Sequence, residues 1–132
     1  MKALGRIPTA AGIGAMQSIN VVIINPLFLG VFLGTATVCV VLAVSSILLW
    51  HRPGSLYLLI GAIVYLIGSI LVTMVFNVPL NNALASVEPG TSEAAEVWTN
   101  YLANWTFWNH IRTAASLASA ALLTLAIIDT GN

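Results

Sequence analysis

The chain has 132 residues, of which 59% are hydrophobic and only 6% are charged. A soluble domain carries about 25% charged residues. No charged residue or histidine occurs in the stretches 7–50, 53–87 and 113–128, so helices there lack the charged face that water requires. A formal net charge of zero, with four scattered basic residues, argues against a nucleic-acid partner. The composition predicts an all-α integral membrane protein, an antiparallel transmembrane helix bundle that forms a single domain over residues 1–132.

The N-terminal stretch 9–19 is predicted to be a short helix in the membrane interface, because apolar residues recur there at helical spacing. The same stretch is too polar for the apolar region of a secretory signal peptide, so none is expected. Cys39 lies alone in an apolar run, which predicts a small buried side chain and neither a disulfide nor a metal site.

Three spans are predicted, at about residues 25–50, 55–77 and 108–128. Asn25-Pro26 is typical of a helix start, with asparagine as the N-cap and proline at the first helical position. Pro79 is expected to close the second span.

Small residues in all three spans predict close helix packing. They are Gly30 and Gly34 in the first span, Gly61, Gly68 and Ser69 in the second, and Ala114, Ala118 and Ala121 with Ser116 and Ala120 in the third.

Residues 80–107 are predicted to form a long polar and aromatic loop or helix outside the bilayer. The stretch from Glu93 to Ile128 reads as one long helix or as two collinear pieces, opened by Thr91-Ser92. Only the part after Trp108 is apolar enough for lipid. Arg52 favours a cytoplasmic position for the short loop between the first two spans, and hence an outside position for residues 80–107.

Antiparallel spans bring the chain near Asn25, Asn77 and Trp108 to the same membrane face. Polar and aromatic residues gather there, namely Asn20, Asn25, Asn77, Asn81, Asn82, Trp98, Tyr101, Trp105, Trp108, Asn109, His110 and Arg112. A functional site is therefore expected at this face.

One helix face in the third element carries, at steps of three and four residues, Trp98, Tyr101, Trp105, Trp108 and Arg112. An arginine one turn inside an apolar span is costly unless it is paired or reaches the interface. Arg112 is either an anchor for an anionic or polarised ligand oxygen, or an interfacial residue that snorkels or pairs with Glu88, Glu93 or Glu96. The tryptophans are either an interfacial belt or a stacking wall for a flat aromatic ligand.

His110 is either an acid or base or a hydrogen-bonded packing residue, and it projects away from much of this stripe. His51 lies at the other membrane face, roughly 30 Å away, so the two histidines cannot share a metal or a haem within one chain. No bound metal is expected.

Several motifs resemble those of the anthrone oxygenase-like family of small membrane proteins. They are Asn77-Val-Pro-Leu-Asn-Asn-Ala-Leu84, the Trp98-x-x-Tyr101 step and Trp105-x-x-Trp-Asn-His-Ile-Arg-Thr113, with Met16-Gln-x-Ile-Asn20 and Asn25-Pro26-x-Phe28. Members usually have four spans, so the resemblance implies that a helix preceding Ile7-Pro8 is missing here, either because the start is set too late or because the protein has lost this helix. It also implies a bacterial inner (plasma) membrane location and makes a homo-oligomer a candidate, because a three-span bundle has a gap.

Characterised members oxidise anthrones to anthraquinones with O2 and without a cofactor. The resemblance implies His110 as the base, Arg112 with Asn109 or Asn81 as donors to the enolate oxygen, and an aromatic slot at Trp105 and Trp108. Substrate-binding residues would be Asn77, Asn81, Asn82, Trp98, Tyr101, Trp105 and Trp108. The alternative is a non-enzymatic helper subunit that packs with itself or with a larger membrane protein; a transporter is disfavoured because no carboxylate lies mid-span.

Overall fold

A computed structural model describes residues 1–130 and contains only helices and their connections in that range. In chain order these are a 3₁₀ turn at Leu4–Arg6, α1 (Thr9–Val22), α2 (Pro26–Leu48), α3 (Ser55–Tyr65), α4 (Val78–Ala85) and α5 (Ser92–Thr130). Three stretches are long and apolar enough to cross a membrane, at Pro26–Leu48, Ser55–Ala85 and Ser92–Thr130. The prediction of an all-α membrane protein with three spans is confirmed.

The first span starts as its sequence predicts. The Asn25 side chain accepts a hydrogen bond from the backbone N–H of Phe28 at 3.0 Å, and Pro26 occupies the first helical position. This asparagine satisfies one of the N–H groups that a helix start leaves without an intrahelical partner.

The second span does not end at Pro79, so that prediction is wrong. The chain stays helical from Ser55 through Pro79 to Ala85, but it widens into π-helical turns at Leu66–Leu71 and Thr73–Asn77. Proline removes one backbone donor and its ring crowds the preceding turn. A wide turn directly before Pro79 accommodates that ring without breaking the helix.

The third span belongs to one continuous helix, the first of the two alternatives that the sequence left open. The Thr91 hydroxyl accepts a hydrogen bond from the Ala94 N–H at 3.1 Å and caps the start of α5. Glu93 in the first turn complements the helix dipole.

We call the continuous helix formed by α3 and the π-helical turns up to Asn77 the extended α3. It lies between α2 and α5 and packs against both. At Gly68 the backbones approach so closely that a Cβ atom would clash with Ala115. Further along the same interface, the Ser119 hydroxyl donates a hydrogen bond to the Gly61 carbonyl at 2.7 Å. Small residues thus allow α3 and α5 to come close, as the second-span glycines predict.

Two predicted packing stripes are not used inside this chain. Gly30 and Gly34 on α2 have no atom within 4 Å of where a Cβ would lie. Ala114 and Ala118 are exposed, and so is Ala121 one turn further along α5. Close packing of these stripes against another helix thus stays a prediction, since within residues 1–130 α5 turns Ala115 and Ser119 toward α3 instead.

Above the spans, at the membrane end near Asn77, the remaining helices form a layer that we call the head. It comprises residues 4–24, 78–91 and the part of α5 before Trp108. Its buried core consists of Ile13, Met16, Leu84, Val87, Ala94, Trp98 and Tyr101. The Gln17 side chain donates to the carbonyls of Leu84 and Val87 at 2.8 and 3.0 Å, which fixes α1 on the end of α4.

The other end of the bundle is closed by a turn between α2 and α3. Gly54 has a φ of +77°, and a Cβ there would clash with the Ala126 carbonyl. The Gly54 N–H donates to an Asp129 carboxylate oxygen at 2.7 Å. This contact joins the start of α3 to the end of α5, so the two helices run antiparallel.

Candidate functional site

A polar cleft lies between α3 and α5 inside the membrane-spanning part of the molecule. Its volume is about 320 Å³, and its lining consists of Ser69, Asn109, Arg112, Thr113, Ser116 and Leu117. Ser69 comes from the first π-helical turn of α3, while the other lining residues come from α5. Polar side chains and a charged one therefore converge within a region that is otherwise apolar.

Helical spacing explains the lining on α5. Asn109, Arg112 and Ser116 follow one another at steps of three and four residues, which places them on one side of the helix. The close approach at Gly68 brings this side against the π-helical part of α3. π-helical turns are rare and are frequent at functional sites, because they displace side chains from regular helical positions.

Arg112 is half-buried in this cleft, and its Nε atom is buried without a hydrogen-bond partner among residues 1–130. Glu96 precedes it by sixteen residues on the same helix, roughly 24 Å at 1.5 Å per residue, and Glu93 is further away. Glu88 is exposed just before that helix. The glutamate ion pair that the sequence left open is thus out of reach, which leaves the anchor and the snorkelling alternatives.

A second group of unsatisfied polar atoms lies where the spans meet the head. Asn77 is 1% exposed, and its amide donates to the Trp105 carbonyl at 3.4 Å. The Asn77 Oδ1, the Trp105 Nε1 and the Thr106 hydroxyl are buried and have no partner within the described part of the chain. A buried polar atom without a partner costs about 1–3 kcal/mol. Buried polar atoms without a partner are uncommon in native proteins, and each needs an explanation such as a bound water, ion or ligand.

The head holds a fully paired tyrosine. The Tyr101 hydroxyl donates to the Asn81 side chain at 2.8 Å and accepts a bond from the Asn20 amide at 3.4 Å. Trp98 and Tyr101 are only 4% and 1% exposed, and their rings stack at 5.8 Å. These two aromatic residues belong to the buried core of the head.

The other aromatic residues of the stripe are also stacked. Tyr101 and Trp105 stack at 5.8 Å, and Trp108 stacks on Phe76 of the second π-helical turn at 3.6 Å and 7°. The Phe76–Trp108 pair links α3 to α5 one helical turn before Arg112. Phe76 was not among the residues expected from the sequence, because nothing in its local pattern distinguishes it from a lipid-facing phenylalanine.

The predicted site residues therefore fall into groups. Asn109 and Arg112 meet in the cleft, and Asn77 meets Trp105 just above it. His110 and Asn82 are exposed and line neither place. At 100° per residue, His110 lies roughly 200° around the helix from Arg112.

Ser69, Thr113 and Leu117 were missed as lining residues, although Ser69 was singled out as a small packing residue. Their local signal is weak, because hydroxyl and leucine side chains are common in spans that have no site.

The fold and the cleft define a small helical membrane protein with a polar site inside its spans. A family model described as anthrone oxygenase matches residues 28–122. The match covers well over half of the chain and includes both π-helical turns and all cleft residues, so the chain belongs to this family. No curated protein matches the chain, and no solved structure does.

Proposed function

We propose that this protein is a cofactor-independent oxygenase that acts on flat, enolisable polycyclic ketones of the anthrone type. The observation that carries the proposal is Arg112, a cation in an intramembrane cleft with Asn109 beside it and with no carboxylate of residues 1–130 within reach. A cation held in this way suits a substrate oxygen that becomes negative during the reaction.

The chemistry follows from the substrate. An anthrone loses a proton from its methylene carbon to a base and becomes an aromatic enolate. The enolate is electron-rich enough to reduce O2 directly, and a new C–O bond forms at that carbon. In the resulting hydroperoxide, the same carbon loses its second proton, the O–O bond breaks and water leaves, so that the carbon becomes the second carbonyl of the quinone. One anthrone and one O2 thus yield one anthraquinone and one water without any external reductant.

The site residues take separate roles in this reaction. Arg112 and the Asn109 amide hold the substrate oxygen and stabilise the enolate relative to the ketone. The Phe76–Trp108 pair offers the flat apolar surface next to them.

His110 stays the predicted base, but its exposed side chain lies on another face of α5. Exchange of His110 for alanine decides the matter, because the His110 side chain is exposed and does not belong to the core of the head. If His110 is the base, the variant folds and loses turnover; full turnover removes it from the mechanism.

Turnover in lipid nanodiscs tests the function itself. Anthrone is supplied with O2, quinone formation is followed by absorbance, and the rate in empty nanodiscs is subtracted because anthrones oxidise slowly on their own. We expect Arg112→Gln to lower kcat/KM about 100-fold, the usual effect of removing one oxyanion donor. The matched control is Arg52→Gln, at the exposed turn of the opposite membrane face. Equal rates in nanodiscs with and without protein would contradict the proposal.

A helper function is the second candidate, and one observation favours it. Gly30 and Gly34 form a small-residue step on α2 that no residue in the described range 1–130 covers, and the exposed alanines of α5 form another. Such steps suit packing with a second copy or with a larger membrane protein. Under this alternative, Gly30→Leu with Gly34→Leu abolishes co-purification of a partner, while wild-type protein oxidises no anthrone.

We also propose that the protein lies in a bacterial inner membrane with the turn at Arg52 in the cytoplasm and the head outside. The support is the arginine at this turn and the antiparallel spans. In a Cys39→Ala background, a membrane-impermeant thiol reagent applied to intact cells should label Asn104→Cys and not Arg52→Cys. The reverse labelling pattern would overturn the orientation.

A further inference from the structure

The cleft lies at a depth where its surroundings are acyl chains. Arg112 follows Trp108, at the membrane end of the span, by four residues, and Ser116 follows it by eight. At 1.5 Å per residue these positions are roughly 6 and 12 Å below the interface, within the upper half of a hydrocarbon core of about 30 Å.

The route from the head into the cleft is closed by packed side chains. The Phe76–Trp108 stack bridges α3 and α5 directly above Asn109 and Arg112. Above this stack, Asn77 is buried and bonded to the Trp105 carbonyl. A flat ligand that comes from water on this side would have to separate the two helices.

The open side of the cleft faces outward from the bundle. Its rim is formed by Thr113, which is exposed, and Leu117, which is 67% exposed. Ser69 forms the floor and is 4% exposed. Asn109, Arg112 and Ser116 are half-buried and thus lie deeper than this rim, which a ligand from the lipid would pass first.

We propose that ligands enter this cleft sideways from the bilayer, and that the substrates are consequently neutral polycyclic phenols or ketones that dissolve among the acyl chains. The nature of the reaction rests on the proposed function, whereas the access route rests on the depth and the rim of the cleft alone. A polycyclic compound with a permanent charge, such as a sulfonate, is excluded as a ligand, because its desolvation in hydrocarbon costs too much free energy.

Nitroxide accessibility tests the route without any turnover. Labels are placed at Thr113→Cys and Leu117→Cys in a Cys39→Ala background, in nanodiscs. Asn104→Cys in the head serves as the water-exposed control and Val38→Cys, exposed midway along α2, as the lipid-exposed control. At positions 113 and 117 we expect O2 accessibility like that at 38, and accessibility to a water-soluble nickel chelate several-fold below that at 104.

Either of two results would overturn the route. Nickel accessibility at positions 113 and 117 equal to that at 104 would make the cleft an aqueous one. Low accessibility to both reagents would mean that another protein surface covers the rim.

Ligand binding tests the same route, because a larger side chain at the rim narrows the entrance to the cleft. We expect Leu117→Trp and Thr113→Trp each to slow the association of hydroxyanthraquinone, an unreactive product analogue, several-fold. The control is Leu125→Trp, an exposed position about two turns further along α5 that does not line the cleft. Anthraquinone sulfonate should not bind the wild type.

Binding of the sulfonate as tight as that of the neutral quinone would overturn the route, as would unchanged association in both rim variants. If the protein binds the neutral quinone in this way but oxidises no anthrone, the access route stands and the proposed function is rejected.

Discussion

At the scale of single residues, the polar atoms without partners are the informative ones. Arg112 Nε and Asn77 Oδ1 are buried without a hydrogen bond in the described residues, while other deeply buried polar side chains, such as Ser119 and Ser46, are bonded. An unpaired polar group lowers stability, and proteins tolerate it mainly where function requires it. Arg112 is thus expected to serve ligand binding at a cost in stability.

This cost is measurable by replacing Arg112 with methionine, which has a similar length and no charge. We expect Arg112→Met to be as stable as wild type, or more stable by up to about 2 kcal/mol, because the span no longer contains an uncompensated cation. Thermal unfolding in detergent checks this, with Arg52→Met at the exposed turn as the control. A clear loss of stability would instead identify Arg112 as a structural residue.

Tyr101 illustrates the opposite case, a buried polar group that is fully bonded. Asn81→Ala leaves the Tyr101 hydroxyl without its acceptor, and Tyr101→Phe removes the hydroxyl itself. We expect each to destabilise the head, and the double variant to lose less than the sum of the two, with a coupling energy on the order of 1 kcal/mol. Unfolding by denaturant in micelles gives the three values. Strict additivity would mean that the bond contributes nothing.

At the scale of elements, the extended α3 determines where the cleft forms. Its π-helical turns hold Ser69 and Asn77, and its glycines let α5 approach. The wide turns also accommodate the ring of Pro79 and so keep the helix continuous. The same local geometry orients the polar side chains of these turns toward α5.

Two glycine-to-alanine exchanges separate helix propensity from helix packing. Both exchanges gain about 1 kcal/mol of propensity in a helix interior. At Gly34 nothing lies within 4 Å of the new methyl group, whereas at Gly68 it clashes with Ala115. We expect Gly34→Ala to be neutral or stabilising and Gly68→Ala to cost about 1–3 kcal/mol net. Equal thermal midpoints for the two variants would show that α3 and α5 do not pack as described.

At the scale of the whole molecule, a row of three antiparallel spans carries a head with its own apolar core. One end is held by the Gly54–Asp129 hydrogen bond, and the other by the stack of Phe76 on Trp108. The cleft lies below the head between the extended α3 and α5, and Thr113 and Leu117 at its rim are exposed.

Much of this was predictable from the sequence. The charge-free stretches predicted three spans, and the alternation of their ends placed Asn77 and the Trp108–Arg112 segment at one face. The Asn25 cap followed from its local motif. These features depend on composition or on a few neighbouring residues, which sequence patterns express directly.

The rest depended on rotation and packing. A span that is apolar all round has no amphipathic pattern, so the sequence could not tell that Ala115 and Ser119, rather than Ala114 and Ala118, face α3. The π-helical turns before Pro79 shift the register of α3 in a way that regular periodicity does not anticipate. Helical periodicity identified the stripe of aromatic residues on α5, but it did not predict that their rings stack on one another.

The central claim is that Arg112 stabilises a negative oxygen on a flat ligand inside the membrane. The most direct test is the phenol pKa of hydroxyanthraquinone bound to the protein in nanodiscs, read from the colour change on ionisation. A cation in contact lowers the pKa of an acidic group by roughly one to three units, so we predict a pKa at least about one unit lower in wild type than in Arg112→Gln. The same phenol pKa in both proteins, or in wild type and in protein-free nanodiscs, would contradict the claim.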